Sequence, residues 1–188
     1  MPAATVKAPR FSAEETALDL IPLDRIGSQA VEDLLDRAFG PDRRARTAYK
    51  VRGPVRAIPE LSFAAVADGA LVGTVQCWPV ALRADDGRAH PLVMVGPVAV
   101  DPGRQRGGVG RLLVGRALEA ADARGERALA LIGDPEYYGR FFGFTAERTG
   151  RWRLPGPVER RRLLARGDRV PDAAGELGPA LDEGRAAA

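Results

Sequence analysis

The sequence predicts an α/β fold in which a mixed, mostly antiparallel sheet of about six to seven strands is flanked by helices. Three observations support this prediction. Strand-like apolar segments separated by short turns run from Leu61 to Val100. An amphipathic helical pattern then continues to about Arg124, and a short apolar segment, Ala128–Ile132, follows it. Because short turns join antiparallel strands and a helical crossover joins parallel ones, this order predicts a mixed sheet.

The N-terminal quarter predicts one strand and one helix. Residues 1–15 are polar and small, which predicts a flexible arm, and the apolar segment Leu18–Ile21 predicts a strand that ends at Pro22. Ser28 is a candidate N-cap for a helix whose apolar positions recur at helical spacing. Helical periodicity does not decide whether the arginine-rich stretch 42–52 is a second helix or a loop.

Turn residues define the central strands. Asp68-Gly69 suits the positive φ angles of a tight primed turn and therefore joins a strand over 61–67 to one over 71–78. A second turn, Asp85-Asp86-Gly87, leads into the strand Leu92–Val100. Successive antiparallel strands are therefore expected before the helix.

The C-terminal half predicts a crossover helix, a short helix and a tail. The helix after the 104–111 loop buries one apolar face, and Gly125 ends it. Asp134 caps a short helix that starts at Pro135 and carries Tyr137 and Tyr138. Residues 144–154 add one or two strands. Residues 171–188 are poor in large apolar side chains, which predicts a disordered tail after a single domain at 16–170.

The composition argues against several function classes. The 28 basic and 25 acidic residues give a net charge of only +3, which argues against a dedicated nucleic-acid binder. One cysteine, Cys77, excludes an intrachain disulfide and a cysteine metal cluster, and one histidine, His90, excludes a multi-histidine zinc site, so we expect no metal. We expect Cys77 to be a small core residue and His90 to be a surface residue. No apolar run approaches 18 residues, so we expect a cytoplasmic protein that makes no membrane contact.

The segment 104–111, RQRGGVGR, is a glycine-rich loop between an apolar strand and a helix. Such a loop exposes backbone N–H groups at a helix N-terminus, where negative charge is favoured, and so predicts a pyrophosphate site. A Walker A loop is excluded because Val109-Gly110 replaces its lysine and hydroxyl residue. A dinucleotide-binding fingerprint is excluded because Leu113 occupies the position of its third small residue.

The order Gln105-Arg106-Gly107-Gly108-Val109-Gly110 resembles motif A of the GNAT acyltransferase superfamily, which binds acetyl-CoA. The resemblance includes the preceding strand 98–102 and the later segment 134–144, DPEYYGRFFGF, and covers roughly residues 60–155. It implies a splayed pair of central strands that admits acetyl-CoA. The pantetheine would lie along Val98, Ala99 and Val100, where Gly96-Pro97 would break the strand. The pyrophosphate would accept main-chain hydrogen bonds from Arg106, Gly107, Gly108, Val109, Gly110 and Arg111, and one from the Gln105 side chain.

The resemblance also implies a tyrosine that protonates the departing thiolate. Family members commonly place it four residues before the glycine of a Gly-Phe pair, a position that Gly139 occupies here. The pair Phe141-Phe142 contains one extra residue, which makes Tyr138 the first candidate and Tyr137 the second, unless the tyrosines only wall the pocket. Glu60, just before a predicted strand, is the candidate general base.

The resemblance therefore implies an N-acetyltransferase that uses acetyl-CoA as its cosubstrate and catalyses direct attack by a primary amine in a ternary complex. The acceptor is a small-molecule amine or a protein N-terminus or lysine. The alternative is a catalytically silent CoA-binding module with a sensing or interaction role, because the tyrosine motif is shifted. Family members often form homodimers, and the sequence leaves the oligomeric state open.

Overall fold

A computed structural model describes residues 18–181, and the arm predicted at 1–15 lies outside this range. Within it the chain forms eight strands and four α-helices, joined by turns and short 3-10 helices. The strands are β1 (Leu18–Pro22), β2 (Phe63–Ala67), β3 (Ala70–Ala84), β4 (Ala89–Val100), β5 (Leu129–Ile132), β6 (Trp152–Arg153), β7 (Leu163–Arg166) and β8 (Gly175–Pro179). The helices are α1 (Ser28–Phe39), α2 (Thr47–Arg52), α3 (Val109–Ala123) and α4 (Pro135–Phe142). Among the described residues, none of these helices is long and apolar enough to cross a bilayer.

One sheet contains all eight strands. Its main order is β1-β2-β3-β4-β5-β7, and β8 pairs with both β3 and β6. Five of the pairs are antiparallel, while β4–β5 and β6–β8 are parallel. The predicted mixed, mostly antiparallel sheet flanked by helices is therefore confirmed, with eight strands in place of six to seven.

The predicted hairpin turn is present between β2 and β3. Asp68 and Gly69 have φ angles of 51° and 74°, the left-handed values that a primed turn requires. The stretch 42–52, which periodicity left open, forms a 3-10 helix at Pro41–Ala45 followed by α2. The prediction that Ser28 caps α1 is wrong, because Gly27 occupies the N-cap position and Ser28 is the first helical residue.

The C-terminal segment corrects the prediction of a disordered tail from residue 171. β8 pairs with the second half of β3, from Val80↔Pro179 to Ala84↔Gly175, on the edge that β2 leaves free. A Cβ on Gly175 would lie 2.8 Å from the Cα of Ala84, so glycine allows this close approach. Main-chain pairing and one buried leucine, Leu177, order a segment that has few large apolar residues. Residues 182–188 lie outside the described range.

Helices cover both faces of the sheet and so enclose its centre. The predicted apolar face of α3 is buried against β2, β3 and β4 and comprises Leu113, Val114, Ala117, Leu118 and Ala121. α1 packs on β3 and β4, with Val31, Leu34 and Leu35 against Ala99. Val51 of α2 joins the core around Met94, Trp152 and Leu177. The sheet centre is therefore accessible mainly where two neighbouring strands separate.

Candidate active site

β4 and β5 separate at the middle of the sheet. They pair only at Val93↔Leu129 and Met94↔Ala130, although β4 continues for six residues beyond Met94. On the other side of β4 the register shifts, so that Gly96 and Pro97 together oppose the single residue Gln76 of β3. Since such a bulge bends its strand, it explains why β4 diverges from β5. The predicted break at Gly96-Pro97 is thus present, and it opens a slot between the two strands.

Two cavities meet in this slot. The first, about 730 Å³, lies between the end of β4, the start of α3 and α4. The second, about 530 Å³, lies between the middle of β4, the end of β5, α2 and the loop around residue 158. Three residues line both cavities: Phe39, Val98 and Tyr138. A molecule in one cavity would therefore approach a molecule in the other beside Val98 and Tyr138.

The glycine-rich loop forms one end of the first cavity. The Asp101 carboxylate accepts a hydrogen bond of 3.0 Å from the Gly103 N–H and so fixes the 3-10 turn Pro102–Gly107 that follows β4. Gly108 then adopts a left-handed φ of 72°, and α3 begins at Val109. The N–H groups at the start of a helix are the ones that can bind an anion, but here the Arg111 N–H already donates to the Gly108 carbonyl at 3.0 Å.

Glycines, which have no side chain, keep this end of the cavity open. A Cβ added to Gly110 would lie 3.5 Å from Cγ2 of Val100, above the floor that β4 provides, and one added to Gly108 would meet no atom within 4 Å. Gly107, Gly108, Gly110 and Arg111 line the cavity together with two residues of β4, Val98 and Val100. These are the positions that the sequence predicted for a pyrophosphate and a pantetheine.

Two of the predicted coenzyme residues face elsewhere with their side chains. Ala99 packs against α1, and Val109 is buried in the core beneath α3. Neither residue lines the first cavity. Gln105 and Arg106 belong to the 3-10 turn before Gly108.

α4 places the two candidate tyrosines. The Asp134 carboxylate accepts a hydrogen bond of 3.0 Å from the Glu136 N–H, which confirms that it caps this helix. Tyr138 lines both cavities, whereas Tyr137 lines only the first and meets the Tyr138 ring edge to face at 5.1 Å. Burial raises the pKa of the Tyr138 phenol to about 12 and also raises the pKa of Tyr137. Both phenols are therefore protonated at neutral pH.

The extra residue of the tyrosine motif lies inside α4. Phe141 and Phe142 are both helical, and the helix ends at Gly143, whose φ is 69°. The Phe144 N–H donates to the Tyr138 carbonyl at 3.3 Å and the Gly143 N–H to the Gly139 carbonyl at 3.0 Å, which closes the C-terminus of α4. The expected tyrosine position, Gly139, contributes to neither cavity lining.

The remaining candidates lie away from the slot. Glu60 is exposed in the short turn Pro59–Leu61 and lines neither cavity. Cys77 is buried in the core beside α3, and burial raises the pKa of its thiol to about 12. His90, predicted to be a surface residue, pairs with Leu82 in the sheet and is half-buried.

Sequence reasoning did not identify the arginine cluster beside the second cavity. Arg43 is 1% exposed and donates hydrogen bonds to the carboxylates of Glu32 at 2.6 Å and Asp36 at 2.7 Å. Arg52 is 4% exposed and stacks on Tyr49, with its guanidinium carbon 3.8 Å from the ring centroid. The arginine-rich composition of residues 42–52 is the only feature of the sequence that points to this cluster. The burial of Arg43 and Arg52 itself depends on contacts with residues distant in sequence.

Comparisons with a family model and with curated protein sequences both relate this chain to acetyltransferases. A family model described as an acetyltransferase (GNAT) domain matches residues 22–146. The uncharacterised N-acetyltransferase YhbS of Escherichia coli K12 is 32% identical over 138 residues, which cover 72% of this chain and 78% of YhbS.

Two solved structures share the fold. YhbS of Escherichia coli in complex with CoA superposes with a TM-score of 0.68 at 24% identity, and the alignment covers 92% of this chain and 93% of YhbS. A GNAT family acetyltransferase from Brucella melitensis in complex with acetyl-CoA gives a TM-score of 0.57 at 23% identity, over 87% and 96% of the two chains.

Proposed function

Because the chain belongs to the GNAT acetyltransferase family, we propose that it transfers an acetyl group from acetyl-CoA to the primary amine of an acceptor, by direct attack in a ternary complex. One observation carries the proposal. The two cavities share Val98 and Tyr138, so a thioester held in the first would meet an amine held in the second at a backbone amide and a phenol. The acceptor is a small-molecule amine or a protein N-terminus or lysine.

The first cavity fits the coenzyme. Main-chain N–H groups of residues 106–110 would bind the pyrophosphate at the N-terminus of α3, where the helix dipole favours negative charge, with the Gln105 side chain as a further donor. Arg111, whose N–H donates to the Gly108 carbonyl, lines the same cavity. β4 pairs with β5 only at Val93 and Met94, so the main-chain groups of Val98 and Val100 that point towards β5 are left for the pantetheine amides, whereas those of Ala99 face Thr74 of β3. Relatives with the same fold, YhbS and the Brucella melitensis protein, hold CoA and acetyl-CoA respectively.

Bound acetyl-CoA would supply an activated acyl group: the amine nitrogen bonds to the acyl carbon and loses a proton to solvent, the carbon–sulfur bond breaks, and the departing thiolate gains a proton. The Val98 N–H, beside the bulge, would polarise the acyl carbonyl by hydrogen bonding. The Tyr138 hydroxyl would donate the proton to sulfur and would regain one from solvent. The raised pKa of Tyr138 keeps its hydroxyl protonated for this role.

Tyr138 is the preferred acid because it lines both cavities, whereas Tyr137 lines only the first. Glu60 receives no role as a base, because it is exposed and lines neither cavity. The alternative, a catalytically silent CoA-binding module, is favoured by one feature: the residue inserted in α4 shifts the tyrosine from the position that the family commonly uses.

Calorimetry and an acetylation assay on the purified chain test the proposal. We expect both CoA and acetyl-CoA to bind with measurable heat, and we expect thiol release from acetyl-CoA that depends on an added amine. Coenzyme binding without thiol release across a broad panel of amines would favour the silent module. The absence of binding to either coenzyme would overturn both functions.

A further inference from the structure

The second cavity carries more positive than negative charge. Four arginines line it, at positions 43, 46, 52 and 162, and two carboxylates, Asp134 and Glu159. The charge of Arg43 is already compensated by Glu32 and Asp36, and Glu159 is paired with Arg161 at 3.2 Å. Within residues 18–181, no carboxylate lies within 4 Å of the guanidinium nitrogens of Arg46, Arg52 or Arg162. The wall therefore has three arginines that form no ion pair in the described part of the chain, although the Glu32 carboxylate that binds Arg43 also acts on Arg52 at longer range.

Arg52 is the most buried of these three arginines. Its guanidinium carbon lies 3.8 Å from the centroid of the Tyr49 ring and 4.7 Å from that of Trp78, so the planar group is held between two aromatic side chains. The Nε atom donates to the Ala48 carbonyl at 3.3 Å, and Nη2 has no hydrogen-bond partner in the described part of the chain. Buried cations are normally paired, because burial without a partner is unfavourable. Burial lowers the pKa of Arg52, and the positive charge of Arg43 lowers it further, while Tyr49 and the Glu32 carboxylate act in the opposite direction.

We infer that the acceptor amine carries an oxyanion, a carboxylate or a phosphate, which the guanidinium of Arg52 binds. A guanidinium held in a fixed plane presents parallel N–H donors, which suit two oxygens of one anion. Arg46, exposed at the wall of the same cavity with its Nη2 bonded to the Phe39 carbonyl at 2.8 Å, would add attraction at the entrance. This inference rests on the proposed function, because it assigns the second cavity to the acceptor.

Matched pairs of amines test the inference on the CoA-loaded protein. One set consists of the common α-amino acids and their carboxamides, and the second pair is O-phosphoethanolamine and ethanolamine. We expect the anionic member of at least one pair to bind at least tenfold more tightly by calorimetry. The two sets distinguish a carboxylate from a phosphate. Equal affinities within every pair, or no binding by any member, would overturn the inference.

Variants connect the preference to Arg52. Arg52→Met should remove the tenfold preference while leaving CoA affinity unchanged. Arg116→Met is the matched control, since Arg116 stacks on Phe63 at 4.5 Å on α3 and lines neither cavity. If Arg52→Met does not fold, the exposed Arg46→Gln should still weaken the anionic member about threefold, and an unaltered preference would count against the inference.

Thiol release from acetyl-CoA separates this inference from the proposed function. If anionic amines bind more tightly but no amine causes thiol release, the anion site is supported and the transferase function is contradicted. If amines cause thiol release but anionic and neutral members do not differ, the transferase function is supported and the anion site is contradicted.

Discussion

The ring of Tyr138 occupies the space where a side chain on Gly133 would stand. A Cβ on Gly133 would lie only 2.6 Å from Cδ2 of Tyr138 and 3.0 Å from Cδ1 of Leu131. Gly133 directly follows β5, at the edge of the slot that β4 and β5 leave open. The absence of a side chain at this position thus determines how closely the phenol approaches the junction of the two cavities.

Gly133→Ala should lower kcat by about tenfold or more, because the ring must move by roughly 1 Å and small displacements of reacting groups reduce rates strongly. Coenzyme affinity, measured by calorimetry, should change little, since Gly133 lines the second cavity and not the first. Gly150→Ala is the control, because a Cβ there meets no atom within 4 Å. Wild-type kcat in Gly133→Ala would show that the ring position is not required.

Tyr138→Phe should lower turnover by more than tenfold, because the variant removes the proton donor and keeps the ring. Acetyl-CoA affinity should remain nearly unchanged. Tyr137→Phe is the control on the same helix and should retain most of the activity. The pKa of about 12 predicts that no ionisation of Tyr138 limits the wild-type rate below about pH 11. Unchanged turnover in Tyr138→Phe would remove the general-acid role.

Gly110→Ala should weaken acetyl-CoA binding by about tenfold, equivalent to roughly 1.4 kcal/mol. The new Cβ would lie at an ordinary distance, 3.5 Å, from Val100, so the fold should tolerate it, but the methyl group would occupy the groove between α3 and β4. Gly115→Ala, later in the same helix and free of contacts within 4 Å, should leave affinity unchanged. Equal affinities of the two variants, by calorimetry, would contradict a coenzyme site at Gly110.

Features of the fold that depend on neighbouring residues were predictable from the sequence. The Asp68-Gly69 turn, the apolar face of α3 and the Asp134 cap follow from local backbone preferences and helical periodicity. β8 was not predictable in this way, because its partner in β3 lies more than 90 positions earlier and its own sequence, GELGP, has little strand character. The environment of Arg52 was also hidden, since it depends on Trp78, a residue of another element.

Leu177→Ala should destabilise the protein by about 2–5 kcal/mol, the usual result of removing a fully buried leucine. Leu177 is 1% exposed and packs with Trp152 and Leu82 in the core that β8 covers. Glu176→Ala, on the exposed side of the same strand, should change stability by less than about 0.5 kcal/mol. Urea unfolding measures both free energies, and similar values for the two variants would indicate that β8 is not part of the core.

Cys77 should resist alkylation in the native protein and cause a loss of stability at alkaline pH. Burial raises its pKa from an ordinary value of 9.0 to about 12, so the native thiol is almost entirely protonated at pH 8. Iodoacetamide should therefore react with Cys77 in urea but hardly at all under native conditions. Rapid native alkylation, measured by mass spectrometry, would contradict the buried position.

The sign of the stability effect follows from which state ionises first. The unfolded thiol loses its proton near pH 9, whereas the folded thiol keeps it until about pH 12. The contribution of the Cys77 thiol to the free energy of unfolding is therefore complete below pH 9 and is lost as the pH rises towards 12. The loss should reach about 1.4 kcal/mol by pH 10. Cys77→Ala lacks this thiol, so its free energy of unfolding should fall less steeply than that of the wild type between pH 8.5 and pH 10. The Tyr138 phenol also begins to lower stability near pH 10, where its unfolded form ionises, but it does so equally in both proteins. Parallel curves for the two proteins would show that the thiol is not the group responsible.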